Sequence, residues 1–185
     1  PPRSTLFPYT TLFRSMAGKR KLRAKEYKKA IELFNKALEV NKIDVAAMGA
    51  RGIAKMGLKD FEGAKNDFKA ILQLQPNDAR TWNNLGTVQM TQKDVKGAIR
   101  SFSSALKSRR HPMLLFNRGI SQYQLKNYQQ AVKDFDAALA MRPTKGNLPI
   151  RLYNNRGNAR DMLGDHKGAI RSEEHTSELQ SLTNL

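Results

Sequence analysis

Residues 82–105 read WNNLGTVQMTQKDVKGAIRSFSSA, and the glycine, alanine and phenylalanine at 86, 98 and 102 recur along the chain. The same residue types stand at Gly18, Ala30 and Phe34, at Gly52, Ala64 and Phe68, and at Gly119, Ala131 and Phe135. Successive sets lie 34, 34 and 33 residues apart, and Gly157 and Ala169 follow after a longer step of 38. A fixed period of this length predicts a repeat array, in which each unit buries its apolar side only against its neighbours. Such an array presents a long curved surface, which favours binding over catalysis.

Each unit is predicted to be a pair of amphipathic helices. Residues 27–38 (YKKAIELFNKAL) carry apolar residues at three- and four-residue spacing, the pattern of a helix with one buried face. The predicted helices run over 45–57, 60–74, 79–91, 94–108, 112–125, 128–141 and 149–163. Asp60, Asp94 and Asn127 precede second helices and are predicted to cap their first turns. An irregular helical bundle is the alternative, and the recurrence of several positions in register argues against it.

The recurring positions resemble the tetratricopeptide repeat, a helix–turn–helix unit of about 34 residues. The residues that carry the resemblance are Trp82, Leu85, Gly86, Ala98, Phe102 and Ala105, then Tyr128, Ala131, Phe135, Ala138 and Pro143, and before them Phe61, Ala64, Phe68 and Pro76. The resemblance implies an all-α fold, a right-handed superhelical solenoid of such repeats with three complete and two partial units. Its register places the repeats at about 11–44, 45–78, 79–111, 112–145 and 150–170.

The two ends of the chain differ in character from the repeats. Residues 1–15 resemble the in-frame translation of a short-read sequencing adapter, and residues 171–181 resemble its partner, with index sequence to 185. We therefore expect a disordered adapter-derived segment at 1–15, a fragment of a longer gene product at 16–170, and an adapter-derived tail at 171–185. The first repeat would then lack most of its first helix. Uncovered apolar surface at both ends of such a fragment predicts self-association.

The composition limits the kinds of site that the chain can carry. With no cysteine, it has neither disulfides nor thiolate metal ligands. No apolar run approaches the ~18 residues that a membrane-spanning helix needs. We expect no cofactor and no metal. We expect an intracellular protein, cytoplasmic or, because of the basic run Lys19–Arg23, nuclear.

The formal net charge of +17 comes from the repeats, because basic and acidic residues cancel in the two end segments. Part of it is concentrated at Lys19, Arg20, Lys21, Arg23, Lys25, Lys28 and Lys29. A basic surface raises encounter rates with acidic partners and favours loose nucleic-acid binding. A solvated helix face is the preferred interpretation of this cluster, and a basic helical-repeat module that binds nucleic acid is the alternative.

The resemblance also implies where a ligand would bind, because the first helices of tetratricopeptide repeats line a concave groove. The groove positions correspond here to Arg80, Asn83, Asn84 and Thr87, to Phe116, Asn117, Ile120 and Tyr123, and to Arg151, Asn154, Asn155 and Asn158, with Met90, Met113 and Asp161 beside them. Asn84, Asn117 and Asn155 share one repeat position. Since an amide both donates and accepts, they are predicted to form a ladder along a peptide backbone. The alternative is that these amides hydrogen-bond neighbouring helices.

Arginines in the first helices have two predicted roles. Arg80 and Arg151 are expected to bind carboxylates of the ligand. Arg51, Arg118 and Arg156 each precede a repeated glycine, where we expect their stems to cover apolar surface and their heads to reach solvent. One subfamily of these repeats holds the acidic tails of chaperones with a carboxylate clamp. The chain matches the clamp pattern only at Asn117 and Arg151, so binding of chaperone tails is disfavoured.

Catalytic machinery is not visible in the sequence. His111 and His166 lie in different units near turns, and no phosphate loop, nucleophile–base pair or pair of carboxylates occurs at a useful spacing. Asp134 and Asp136 are expected to face different ways. The predicted function is therefore a non-enzymatic scaffold or adaptor that holds an extended peptide or a helix of a protein partner, of acidic character. A regulatory segment of a larger enzyme is a further alternative.

Overall fold

A computed structural model describes residues 7–143 and 146–183. Within these ranges the regular structure is entirely α-helical, as predicted. The helices are α1 (Phe7–Arg23), α2 (Tyr27–Val40), α3 (Val45–Gly57), α4 (Phe61–Leu74), α5 (Ala79–Thr91), α6 (Val95–Ser108), α7 (Pro112–Gln124), α8 (Tyr128–Ala140), α9 (Leu148–Asp161) and α10 (His166–Thr183). All seven helices predicted by number are confirmed, with ends that agree to within about two residues.

The chain divides into two compact units, residues 1–88 and 89–185, with the boundary inside α5. In the N-terminal unit α1 packs on α2, α2 on α3 and α3 on α4. In the C-terminal unit α6 packs on α7, α7 on α8, α8 on α9 and α9 on α10. Within each unit these helices therefore pack on their neighbours in sequence, as expected for helical hairpins.

The recurring glycine and phenylalanine hold the two helices of a hairpin close together. A Cβ atom added at Gly52 would lie 2.7 Å from the Phe68 ring, and one at Gly119 would lie 2.6 Å from the Phe135 ring. No side chain fits there, because these rings are themselves fully buried. The recurring rings of Phe34, Phe68, Phe102 and Phe135 are all between 0% and 1% exposed.

Each compact unit has its own hydrophobic core. The N-terminal core contains Phe34, Met48, Phe68, Ile71 and Leu72, and the first part of α5 adds Leu85 and Val88. The C-terminal core contains Leu115, Phe116, Phe135, Leu148 and Leu152. Alanines 30, 64, 98, 131 and 138, which recur at repeat positions, are 0% exposed and fill the narrow space between helices.

The turns within the hairpins reverse the chain through one residue with left-handed backbone. Lys25, Lys59, Lys93 and Lys126 have φ values of 58°, 62°, 64° and 61°, and Gly164 has 79° at the corresponding place before α10. A non-glycine residue in this region costs roughly 1–2 kcal/mol, because its Cβ crowds the backbone. The turn geometry is therefore the same in all five hairpins, although glycine occupies it only once.

The predicted helix caps are confirmed at two positions and wrong at the third. Asp60 accepts a hydrogen bond from the Gly63 N–H and Asp94 from the Gly97 N–H, both at 2.9 Å. Asn127 makes no cap bond, because its amide turns back and donates to Gln122 Oε1 at 3.0 Å.

The N-terminal end is helical where the sequence predicts disorder, and the last helix extends into the C-terminal tail. Residues 7–15, which we expected to be disordered, form the first half of α1, so the first hairpin has a complete first helix. The reason is that Thr11, Ser15 and Gly18 share one face of α1, and all three are buried. Residues 171–183 continue α10, in which Ser172 and Thr176 are buried. Residues 1–6, 184 and 185 lie outside the described ranges.

Candidate functional site

The candidate site consists of the predicted groove residues on the first helices α5, α7 and α9. In the N-terminal unit these lie on α5, whose start is fixed by a 2.7 Å hydrogen bond from Trp82 Nε1 to the Pro76 carbonyl. Arg80 is exposed, while Asn83, Asn84 and Thr87 are half-buried. Thr87 Oγ1 donates to the Asn83 carbonyl at 3.0 Å. The four predicted residues of α5 are therefore at or near the surface.

In the C-terminal unit, α7 supplies the apolar part of the candidate site. Ile120 and Tyr123 are half-buried, and the Tyr123 ring meets the edge of Tyr128 at 5.3 Å between centroids. Phe116 is predicted to line the groove, but the structure buries its side chain. Its side chain is 2% exposed and packs against Phe135, with 6.1 Å between ring centroids. Asn117 is half-buried on the same helix.

Helix α9 supplies the polar part of the C-terminal unit. Arg151 is exposed, and its guanidinium carbon lies 4.4 Å from the centroid of the Phe116 ring. Asn155 turns back on its own helix, where its Nδ2 donates to the Arg151 carbonyl at 2.7 Å. Asn154 Oδ1 accepts a 2.7 Å hydrogen bond from Thr176 of α10, and Asn158 is exposed. The structure thus joins α7 and α9 through Phe116 and Arg151.

The residues beside the predicted site have local partners. Met90 Sδ accepts from Ser121 Oγ at 3.1 Å, and Asp161 Oδ1 lies 2.7 Å from His166 Nδ1. Met113 is half-buried against the C-terminal core. These contacts assign Met90 and Met113 to packing between helices, and they link Asp161, the last residue of α9, to the first residue of α10.

Sequence reasoning missed a set of ion pairs on the other side of the first helices. The heads of Arg51 and Arg118 do not reach into solvent. Arg118 forms a bidentate pair with Asp134 across α7 and α8, at 2.6 and 2.9 Å. Hydrogen bonding to Asp134 raises the pKa of the Arg118 guanidinium above its ordinary value. Because Asp134 is 6% exposed, this pair belongs to the fold and is not available to a ligand.

The same arrangement occurs in α3 and α4, where Arg51 pairs with Asp67 at 2.6 and 3.0 Å. Arg156 differs, because it pairs with Asp136 of the preceding hairpin at 2.9 Å. Asp134 and Asp136 therefore face different helices, as predicted. The sequence contains a signal for these pairs. An aspartate follows the arginine after sixteen residues, at 51 and 67 and again at 118 and 134.

Over residues 7–143 and 146–183, no group of three histidine, aspartate or glutamate side chains is arranged to hold a metal ion. Among the helices in the same ranges, none has the length and apolarity to cross a lipid bilayer.

Comparison with known proteins identifies the repeats. Tetratricopeptide repeat models match residues 49–112 and 112–145, which together make just over half of the 185 residues. No curated protein sequence matches the chain.

Solved structures of MamA resemble the chain in fold. A MamA fragment (41-end) from Desulfovibrio magneticus RS-1 has a TM-score of 0.86 and 19% identity, covering 95% of this chain and 98% of that chain. A MamA RS-1 ArsTM double mutant gives 0.85 and 19%, covering 94% and 96%. A further MamA crystal structure gives 0.83 and 17%, covering 90% and 96%. At this identity the likeness shows the fold alone.

Proposed function

The chain belongs to the tetratricopeptide repeat family of protein-interaction scaffolds, and from this premise we propose that its first helices bind an extended peptide or a helix of a partner protein. One observation carries the proposal. The side chains of Arg80, Asn84, Arg151 and Asn158 make no hydrogen bond or ion pair with any residue in the described ranges. All four lie on first helices, at positions that the sequence predicts to face a ligand.

The chemistry of these groups suits a polypeptide ligand. An asparagine amide pairs with a peptide group as donor and acceptor at once, whatever side chain the peptide carries. Arginine adds charge-assisted hydrogen bonds to carboxylates. Ile120 and Tyr123 add half-buried apolar surface on α7. Asn155 contributes less than the sequence suggests, because its Nδ2 already donates to the Arg151 carbonyl.

The test is peptide selection followed by substitution in the full chain. Peptides of about twelve residues are selected from a random display library, and their affinities are measured by calorimetry. We expect Asn84→Ala and Asn158→Ala each to weaken binding about tenfold, the effect of losing a hydrogen bond made only in the complex. Asn66→Ala is the matched control, because Asn66 is an exposed amide on the second helix α4. Equal affinities for all three variants would contradict the proposal.

The net charge of +17 supports a second candidate, a module that binds nucleic acid. In that case the logarithm of the affinity for an oligoribonucleotide would fall linearly with the logarithm of the salt concentration. The slope would be proportional to the number of phosphate contacts. Asn84→Ala would then leave the affinity unchanged. Measurement of both quantities on the same protein separates the two functions.

A further inference from the structure

Helix α6 differs from the other second helices in its charge. Helices α2, α4, α8 and α10 each carry at least two acidic residues, whereas α6 carries none. No aspartate or glutamate occurs between Asp94 and Asp134, a stretch that contains eight lysines and arginines. The Asp94 carboxylate itself caps α6 and accepts hydrogen bonds from the Gly97 N–H and from Gln89 Nε2. The surface of α6 is therefore cationic, with no acidic residue of its own.

The cations of α6 form a row on one face of the helix. Lys96, Arg100 and Lys107 lie four and seven residues apart, which places them within about 40° of one another around the helix axis and over ~16 Å along it. All three are exposed, and none has an ion pair or a side-chain hydrogen bond among residues 7–143 and 146–183. Arg109 and Arg110, both exposed, follow directly after the helix. These five residues are called the α6 basic row below.

Helix stability accounts for only part of this row. Cations at the C-terminal end of a helix interact favourably with its macrodipole, which explains Lys107 in the last turn and Arg109 after it. Lys96 stands in the first turn, where the macrodipole makes a cation unfavourable. No ion pair with a described residue offsets this cost. A row that opposes local stability at one end indicates a role in binding.

We propose that the α6 basic row binds the phosphate backbone of double-stranded nucleic acid. This inference is independent of the peptide site, which lies on the first helices, and it gives the nucleic-acid candidate a defined surface. Each strand of a duplex presents one phosphate per ~3.4 Å of helix axis, so a row of ~16 Å reaches several of them. Lysine and arginine contact phosphates without reading the bases, so binding is independent of nucleotide sequence.

The side chains of α6 favour a duplex over other polyanions. Single strands bind largely by stacking on aromatic rings, and Phe102, the one aromatic residue of α6, is 1% exposed. Helices that bind anionic membranes place exposed large apolar side chains beside their cations. Over Val95–Ser108 no large apolar side chain is exposed. Cations without apolar or aromatic neighbours suit a partner of high and regular charge density.

Fluorescence anisotropy with a labelled DNA duplex tests the row in the full chain. We expect the logarithm of the affinity to fall with the logarithm of the salt concentration with a slope of about −3 to −4, since each phosphate contact contributes roughly −0.9. Lys96→Gln, Arg100→Gln and Lys107→Gln should each make this slope less steep by about 1. Arg100→Lys keeps the charge and should leave the slope unchanged. Lys36→Gln is the matched control and should also leave it unchanged, because Lys36 is an exposed lysine on α2, which carries acidic residues.

The outcomes separate this inference from the proposed function. If Lys36→Gln flattens the slope as much as Lys107→Gln does, net charge alone binds the duplex and the α6 basic row is wrong. If peptides are selected but the chain does not bind the duplex, the row is wrong and the peptide function stands. If the row variants weaken duplex binding while no peptide is selected, the row stands and the peptide function fails. Equal or tighter binding to oligouridylate, polyglutamate or phosphatidylserine vesicles overturns the choice of partner.

Discussion

Arg118 and Asp134 join α7 to α8 through two parallel hydrogen bonds, from Nη2 to Oδ1 at 2.6 Å and from Nε to Oδ2 at 2.9 Å. Arg51 and Asp67 repeat this pair between α3 and α4, also sixteen residues apart. The aspartates are buried, and the arginines are only partly exposed. Such a pair fixes the register of two helices more narrowly than apolar contacts do, because the fork accepts a carboxylate in few orientations.

Asp134→Asn should destabilise the protein by about 2–3 kcal/mol, because it leaves the Arg118 charge partly buried without its partner. Asp161→Asn is the control. The Asp161 side chain is 61% exposed and that of its partner His166 is 73% exposed, so the loss of this contact should cost less than about 1 kcal/mol. Urea unfolding measures both. Equal losses would show that the Arg118 pair is no more important than a surface contact.

Ser172→Asp should stabilise the last hairpin. Ser172 stands sixteen residues after Arg156, and its Oγ accepts a hydrogen bond from Arg156 Nε at 3.3 Å. At the same spacing, Arg51 and Arg118 each meet an aspartate. A carboxylate at 172 would complete a third bidentate pair of this kind and raise the melting temperature by about 2–4 °C, the equivalent of ~1 kcal/mol. Ser172→Asn has the same shape without the charge. If Asn raises the melting temperature as much as Asp does, the arginine is not responsible.

Two glycines of α3 should respond to alanine in opposite directions. At Gly52 the new methyl group would lie 2.7 Å from the buried Phe68 ring, so we expect a loss of about 1–3 kcal/mol from overpacking. At Gly49 its nearest contact is Ile71 Cδ1 at 3.6 Å, an ordinary distance. Gly49→Ala should therefore stabilise by about 0.5–1 kcal/mol through helix propensity. Thermal unfolding of both variants gives the signs, and a stable Gly52→Ala would disprove the close contact.

Glu26 should titrate at unusually low pH. Hydrogen bonds from Lys21 and Lys29, at 2.9 and 3.0 Å, lower the pKa of its carboxyl below the ordinary value of 4.5. A lowered pKa in the folded state contributes stability that is present above the unfolded value and lost as pH falls through the folded one. An NMR titration should therefore find the midpoint below 4.5, and Lys21→Ala should raise it. Since the carboxylate is exposed, about 0.5 M salt should also raise the midpoint. A midpoint that Lys21→Ala leaves unchanged would contradict the assigned cause.

The outer face of α1 should cause self-association. Leu12, Phe13 and Met16 are 59%, 68% and 58% exposed there. We expect the mass measured by light scattering to rise with protein concentration, because clustered exposed apolar side chains favour contact between copies. Phe13→Ser should reduce the rise, whereas Ile170→Ser tests the exposed residue on α10. A constant monomer mass at high concentration would contradict this prediction.

The helices were predictable from sequence because the residue types at the repeat positions determine how the helices of a hairpin pack. The glycine and the phenylalanine recur together because the ring, as at Phe68, packs directly against a helix backbone that has no side chain, as at Gly52. This contact sets which two helices pair and how close together they lie. The ends were not predictable in the same way. Thr11 and Ser15 are polar, and only the structure shows that both are buried, on the face of α1 that carries Gly18. A Cβ atom added at Gly18 would lie 2.7 Å from the Phe34 ring of α2, so small residues suit this face.

The sequence predicts the candidate site as a set of repeat positions, but it does not predict the contacts that these side chains make. Asn84 and Asn158 have no hydrogen-bond partner among the described residues, whereas Asn155 donates to its own helix. Repeat position alone also cannot show that Arg151 covers Phe116 and so removes that ring from an open pocket. That contact joins residues of two hairpins, and the distance between them depends on tertiary packing.

The reversals at Lys25, Lys59, Lys93 and Lys126 have a practical consequence. Each uses a backbone conformation that glycine adopts without crowding, as Gly164 already does. Glycine at the four lysines would relieve local strain without altering any buried contact. We therefore expect glycine at these four exposed turn positions to raise the heat resistance of the chain without any change to its hydrophobic core.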